Sequence, residues 1–123
     1  MAPSIISLGT AALALAGNAA ATKWYLEDTY NSNNFFDKFN FFTENSPNSG
    51  YVNFLSRADA TSKGLAKVDN GEVIVKVDNT NVVTSGRGRN SVRLESKAQL
   101  NKGLIIGRFS HLPAAQCGSW PAL

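Results

Sequence analysis

The sequence has one histidine and one cysteine, and few charges of either sign. His111 and Cys117 have no third soft ligand near them, so no zinc site is specified and we expect neither a metal nor a cofactor. Charged residues make up 17% and the net charge is +3, a weak basis for a nucleic-acid partner, and we expect none. The 43% of hydrophobic residues is typical of a packed globular domain, and 123 residues allow one domain at most.

Long hydrophobic runs are also missing. The apolar run from Ile5 to Ala16 is too short to span a bilayer. Ala19 and Ala21 follow it in the small-x-small pattern that a signal peptidase recognises. Residues 1–21 are therefore predicted to be a signal peptide, and the mature chain is expected to be secreted, extracellular and free of the membrane. No Lys or Arg precedes the run, which leaves open a buried N-terminal helix or an anchor that is never cut.

Helix signals are scarce, and turn clusters separate many short β-prone segments. Such a pattern indicates an all-β sandwich or barrel. The stretch from Ala58 to Gly64 could form a short helical turn. The segments predicted as strands are Trp24–Tyr30, Tyr51–Arg57, Leu65–Val68, Glu72–Val77, Arg89–Ser96 and Gly103–His111.

The strongest local prediction is a β-hairpin. Asn70 and Gly71 lie between two β-branched runs, and Asn-Gly favours the two-residue turn in which both central residues need positive φ.

Six phenylalanines lie close together in the chain. Because each buries a large area, they are most simply explained as core, although one of them could stack on a sugar. They are Phe35, Phe36, Phe39, Phe41, Phe42 and Phe54.

The acidic residues form no convincing catalytic pair. A retaining glycosidase needs two carboxyl groups roughly 5–5.5 Å apart. Glu27 and Asp28 are neighbours on a predicted strand and so point to opposite faces. Asp69 and Glu72 only flank the hairpin turn.

The loop from Gly86 carries several arginines, but a strand follows it where a phosphate-binding loop would lead into a helix. It is predicted to be a turn with solvated arginines. Arg93 differs because it lies within a predicted strand and points away from Val92 and Leu94. It either lines a polar concave surface or pairs with an acid.

Three motifs resemble fungal laminarinase-type enzymes, the endo-β-1,3(4)-glucanases of glycoside hydrolase family 16, in order and spacing. They are Gly50-Tyr-Val-Asn-Phe54, Gly88-Arg-Asn-Ser-Val-Arg-Leu94, and Arg108-Phe-Ser-His-Leu-Pro113 followed by Cys117-Gly-Ser-Trp-Pro-Ala122. The resemblance covers roughly Trp24 to the end of the sequence. It implies a jelly-roll (concanavalin-like) β-sandwich, of which residues 22–123 are the N-terminal part, and a retaining mechanism acting on β-glucan.

The resemblance also assigns sugar-binding residues. Asn53 and Arg93 match family residues that contact sugars, and both face away from the apolar residues of their own strands, as a position in the cleft requires. Trp120 matches the Trp-Pro pair that leads into the cleft. The family motif Glu-x-Asp-x-x-Glu, which carries catalysis, is expected beyond Ala122, so this chain alone is expected to be inactive and no catalytic residue is assigned.

The lone cysteine fits the same resemblance. In a secreted chain an odd cysteine is better explained by disulfide bonding than by a nucleophile paired with His111. The partner of Cys117 is expected in the missing part of the domain.

Two other functions remain open from the sequence. The first is a non-catalytic glucan-binding module of the same fold. The second is an unrelated small β-domain that uses Arg87, Arg89 and Arg93 to bind an anionic partner.

Overall fold

A computed structural model of the chain describes residues 22–83, 85–114, 117 and 122. They fall into two units, residues 27–102 and a second unit formed by the segments up to Leu26 and from Gly103 onwards. The predicted signal peptide, residues 1–21, lies outside the described residues. In the part of the chain that is described, strands predominate, and no helix is long and apolar enough to cross a membrane.

The unit of residues 27–102 contains three two-stranded sheets. β1 pairs with β6 antiparallel, β2 pairs with β5 in parallel, and β3 pairs with β4 antiparallel. A 3-10 helix, Phe35–Lys38, precedes β1, and one α-helix, α1 (Arg57–Ser62), follows β2. The strands are β1 (Phe39–Phe41), β2 (Val52–Phe54), β3 (Ala66–Asp69), β4 (Glu72–Val75), β5 (Arg89–Ser91) and β6 (Leu94–Ser96).

The predicted hairpin is confirmed. β3 and β4 are joined at Asn70 and Gly71, whose φ angles are 49° and 79°. These positive values are the ones that the two-residue turn needs, and they explain why Asn-Gly occurs there.

The predicted helical turn is also confirmed, and its sequence contains both end signals. The Ser56 hydroxyl accepts a hydrogen bond from the Asp59 amide at 3.2 Å and caps the N-terminus. At the other end Gly64 has φ 66°, and the amides of Gly64 and Leu65 donate to the carbonyls of Thr61 and Ala60. This paired arrangement is the Schellman motif, which ends the helix and turns the chain into β3.

The segment predicted as one strand, Arg89–Ser96, is instead two. β5 pairs with β2, and β6 pairs with β1, because the chain changes sheets at Val92 and Arg93. Val92 packs against the core at this crossing. Alternation alone could not show the break, since the polar and apolar pattern continues through it.

The core is small and lies where α1 meets β3. Its buried members are Leu55, Ala60, Leu65 and Ala66, and Phe36, Phe41 and Val92 pack against them. The six phenylalanines predicted as core are all half-buried. Four of them form a linked cluster with Tyr30, while Phe42 and Phe54 contact each other, with ring centroids 5.6 Å apart.

Two predicted strands do not form. Residues 24–30 and 103–111 carry no strand. Apolar alternation makes a segment suitable for a sheet, but hydrogen bonds to a neighbouring strand are needed to hold it there. Both segments leave large apolar side chains exposed.

Candidate functional site

Asn53 occupies the middle of β2 and faces Asn90 of β5. The parallel register places these residues opposite each other, and the Asn53 side-chain nitrogen Nδ2 donates to Oδ1 of Asn90 at 2.9 Å. Among the described residues, neither amide side chain makes another hydrogen bond. Each side-chain amide has two donors and an acceptor oxygen, so the pair keeps the capacity to bind a hydroxyl-rich ligand.

Arg93 lies over an aromatic ring. Its guanidinium carbon Cζ is 4.4 Å from the centroid of Phe42, and Nη2 is 3.0 Å from Oε1 of Glu95. The backbone is tied as well, because the Phe42 amide donates to the Arg93 carbonyl at 3.0 Å. Of the two alternatives that the sequence left open for Arg93, the structure shows the acid pair. The side chain is 37% exposed, so part of the guanidinium remains accessible.

Asn53 and Arg93 contact different groups. The ring of Phe42, on which Arg93 stacks, meets the ring of Phe54 nearly edge-on, at 76°. Asn53 and Phe54 are successive residues of one strand, so their side chains point to opposite faces. No hydrogen bond joins these two described residues: Asn53 bonds to Asn90, whereas Arg93 contacts Glu95 and Phe42.

Trp120, the third predicted sugar-binding residue, lies outside the described residues. Cys117 is described, and its thiol is exposed and free. The sugar-binding roles of Asn53, Arg93 and Trp120 stay predictions.

The other two arginines of the loop, Arg87 and Arg89, donate hydrogen bonds to other segments of the chain. Nη2 of Arg87 donates to the Thr43 carbonyl and to Oδ1 of Asn45, both at 3.2 Å. Nη1 of Arg89 donates to the carbonyls of Asp78 at 2.8 Å and Asn81 at 3.0 Å. Both side chains were predicted to be solvated; Arg87 is exposed, and Arg89 is half-buried. Their internal partners, together with the Arg93–Glu95 pair, speak against a surface built for an anionic ligand.

Asp78 anchors the turn that Arg89 holds. Its carboxylate is buried and accepts hydrogen bonds from the Asn81 side chain at 2.7 Å, from the Thr80 hydroxyl and from the amides of both residues. The bond from the Asn81 side chain, with those of the two amides, lowers the pKa of Asp78 far below its usual range. Asp78 is thus a structural anion with all its charge satisfied locally.

A cleft lies elsewhere on the unit of residues 27–102, lined by Asp28, Tyr30, Asp37, Lys38, Lys97 and Ala98. Lys38 pairs with Asp28 and lies 4.9 Å from the Tyr30 ring centroid. The hydrogen bond from Lys38 lowers the pKa of the Asp28 carboxyl. Arg57 pairs with Asp37 at 2.8 Å, and Lys97 donates to the Asp37 carbonyl. Each charged side chain of this cleft thus has a partner within the chain, although only Lys38 and Asp28 pair with each other across it.

No group of three or more His, Cys, Asp or Glu in the described ranges could hold a metal ion. The sequence contains no Glu-x-Asp-x-x-Glu either. The amides of Asn53 and Asn90 and the guanidinium of Arg93 are groups that can contact a polar ligand.

Sequence reasoning missed two contributors to these contacts. Phe42 was grouped with the core phenylalanines, yet it is the ring under Arg93. Asn90 lay inside the Asn-Ser-Val-Arg motif, but its role depends on the parallel register with β2, for which the sequence has no local signal. Glu95 was visible, because it is two residues from Arg93 and shares its face in the alternating pattern.

A family model described as the XgeA-like catalytic GH16 domain matches residues 39–123. The chain is 48% identical over 109 residues to an endo-1,3(4)-β-glucanase of Arthroderma benhamiae, covering 89% of this chain and 23% of the relative. It is 36% identical over 119 residues to the endo-1,3(4)-β-glucanase xgeA of Emericella nidulans, covering 94% of this chain and 19% of that one. The chain thus spans about a fifth of the length of these curated relatives.

The chain is also similar to solved structures of family 16 proteins. An elongating GH family 16 β-1,3-glucosyltransferase aligns with a TM-score of 0.61 at 39% identity, over 63% of this chain and 27% of its own. Laminarinase 16A from Phanerochaete chrysosporium, solved with 6-O-glucosyl-laminaritriose in its donor and acceptor sites, aligns with a TM-score of 0.57 at 33% identity. That alignment covers 60% of this chain and 25% of the laminarinase.

Proposed function

Because the chain belongs to the XgeA-like catalytic domains of glycoside hydrolase family 16, we propose that it forms the glucan-binding N-terminal part of an enzyme that hydrolyses internal β-1,3(4)-glucosidic bonds. The observation that carries the proposal is the extent of the family match. Residues 39–123 include Asn53, Arg93 and Trp120, the three residues assigned to sugar binding. The names of the curated relatives support the same substrate class.

In this proposal the three two-stranded sheets are pieces of a jelly-roll sandwich. The family fold of the solved relatives supports it, as does the scarcity of helix in the described residues. Residues 1–21 direct secretion and are removed, so that the chain acts outside the cell, and residues 22–123 form the N-terminal part of the catalytic domain. Sequencing the N-terminus of the secreted chain tests this, and a start near Thr22 is expected.

The described residues contribute binding rather than bond cleavage. The free donors and acceptors of Asn53 and Asn90 hydrogen-bond to sugar hydroxyls, which present both groups. Arg93 donates from the accessible part of its guanidinium, while Phe42 and Glu95 fix its orientation. Retaining hydrolysis needs two carboxyl groups about 5–5.5 Å apart. No residue described here is assigned to that pair.

Affinity electrophoresis of the chain in gels containing laminarin tests binding. We expect laminarin to retard the wild-type chain and Arg93→Ala to weaken binding by about 1.5–3 kcal/mol, roughly tenfold or more, since a charged donor is lost. Arg57→Ala is the matched control, because Arg57 is a guanidinium paired with Asp37 and carries no sugar-binding assignment. Equal retardation of both variants would refute the role of Arg93, and an unretarded wild-type chain would refute glucan binding.

Hydrolysis is tested in a chimera. The chain replaces the 109-residue matched segment of the Arthroderma benhamiae enzyme, and the release of reducing ends from laminarin is measured. We expect activity, reduced by Asn53→Ala and Arg93→Ala. A folded chimera that binds laminarin without cleaving it would instead favour the non-catalytic binding module.

A further inference from the structure

The backbone of Asn90 is held from both edges of β5. On one edge β5 pairs with β2, in the register that sets Asn90 opposite Asn53. On the other edge the Asn90 carbonyl accepts a hydrogen bond from the Asp78 amide at 2.9 Å. Asp78 is itself buried, and its carboxylate accepts hydrogen bonds from Thr80 and Asn81. Asn90 therefore lies between a paired strand and a turn that is closed by its own hydrogen bonds.

The side chain of Asn90 offers an acceptor to Asn53. Nδ2 of Asn53 donates to Oδ1 of Asn90 at 2.9 Å, and both side chains are half-buried. A side-chain amide has a donor end and an acceptor end, and rotation about its last carbon–carbon bond exchanges the two. Because the donor end of Asn53 is engaged by Asn90, the acceptor end, Oδ1 of Asn53, is left for another donor.

An acceptor that is already oriented suits a sugar hydroxyl. Each hydroxyl group carries one hydrogen to donate, and an oxygen whose position is fixed receives it without ordering a side chain at the moment of binding. If Asn53 had no partner in β5, its amide would rotate between two orientations. The ordering of that amide by the ligand would then lower the affinity.

We propose that Asn90 is a positioning residue for glucan binding. Its Oδ1 holds the amide of Asn53 in one orientation, so that Oδ1 of Asn53 accepts a hydrogen bond from a sugar hydroxyl. The proposal rests on the sugar-binding role proposed for Asn53, and it adds the direction of the hydrogen bond and the residue that sets this direction.

The direction is tested first, by NMR on the ¹⁵N-labelled chain without glucan. The side-chain amide signals of Asn53 and Asn90 are identified by their loss in Asn53→Ala and Asn90→Leu. We expect the Nδ2 hydrogens of Asn53 to exchange with water more slowly than those of Asn90, and Asn90→Leu to remove this protection. The reverse order of the two exchange rates in the wild type would overturn the proposal.

The consequence for binding is measured by affinity electrophoresis in laminarin gels. Asn90→Leu should weaken binding about three- to tenfold, because the Asn53 amide loses its acceptor. Asn90→Asp should bind like the wild type, since one carboxylate oxygen accepts from Nδ2 of Asn53 and the other can accept from a sugar hydroxyl. Asn40→Leu is the matched control and should also bind like the wild type, because Asn40 is an exposed asparagine in the middle of β1.

Urea midpoints check that each variant folds, and Asn90→Ala, which removes the acceptor without adding an apolar side chain, repeats the test. Equal retardation of Asn90→Leu and the wild type, or equal losses in Asn90→Leu and Asn90→Asp, would overturn the positioning role while glucan binding stands. An unretarded wild-type chain would refute glucan binding itself, and this proposal with it.

Discussion

Gly88 allows β2 and β5 to lie side by side, and replacing it by alanine should separate them. It precedes β5 and has φ 105°, in the region that residues with a side chain rarely adopt. A Cβ atom there would lie 2.3 Å from the Tyr51 carbonyl carbon, 2.4 Å from its oxygen and 2.6 Å from the Val52 nitrogen. All three are main-chain atoms, so no side chain can rotate out of the way.

The magnitude follows from two effects. Non-bonded carbons prefer about 3.5–4.0 Å, so the new methyl group would overlap the main chain by more than about 1 Å. This overlap can be removed only if β2 and β5 move apart, which breaks the 3.1 Å hydrogen bond from the Arg89 amide to the Tyr51 carbonyl. Overpacking costs about 1–3 kcal/mol and the φ angle about 1–2 kcal/mol more, so Gly88→Ala should destabilise by about 2–5 kcal/mol.

Urea unfolding followed by far-UV circular dichroism measures this, with Gly86→Ala as the control. Gly86 has φ 93°, but nothing lies within 4 Å of an added Cβ, so only the φ effect of about 1–2 kcal/mol applies. The difference between the two midpoints therefore isolates the clash. Equal midpoints for the two variants would refute the close packing of β2 against β5.

Two further predictions concern local hydrogen bonds. Ser56→Ala should lower the free energy of unfolding by about 1 kcal/mol, because the Asp59 amide loses its cap, whereas Thr61→Ala in the same helix should lack this loss; urea midpoints distinguish the two. The pKa of Asp78 is lower in the folded chain than in the unfolded chain, where an aspartate has a pKa of about 3.9. The ionised carboxylate therefore stabilises the fold above that unfolded value, and this contribution is lost as the pH falls from there toward the folded pKa. Midpoints measured from neutral to acidic pH should fall less steeply for Asp78→Asn than for the wild type, and parallel curves would contradict the role of the carboxylate.

The elements predicted correctly are those whose signals are local. The Asn70-Gly71 turn needs only two residues with positive φ, and the helix from Arg57 carries its own cap and its own glycine stop. The family resemblance depended on three motifs in order, and the family match confirmed it.

What could not be predicted depends on which strands meet. The division of Arg89–Ser96 between two sheets leaves the alternating pattern intact, and so it is invisible in the sequence. The contact of Asn53 with Asn90 depends on the parallel pairing of β2 with β5. Residues 103–111 have the composition of a strand, but their state depends on a neighbour that the pattern does not specify.

The chain passes from one sheet to another at Val92 and Arg93, so the short stretch that contains β5 and β6 supplies a strand to each of two sheets. β5 reaches back to β2, with Asn53 and Asn90 separated by 37 positions, and β6 reaches further back to β1. Closing such distant pairings is slow compared with forming the hairpin of β3 and β4, whose partners are adjacent in the chain. The hairpin and α1 can therefore form early and independently, whereas the two sheets joined through Val92 and Arg93 form late and together. Arg93, the arginine assigned to sugar binding, lies between these two strands, so its position is fixed only when both sheets have formed.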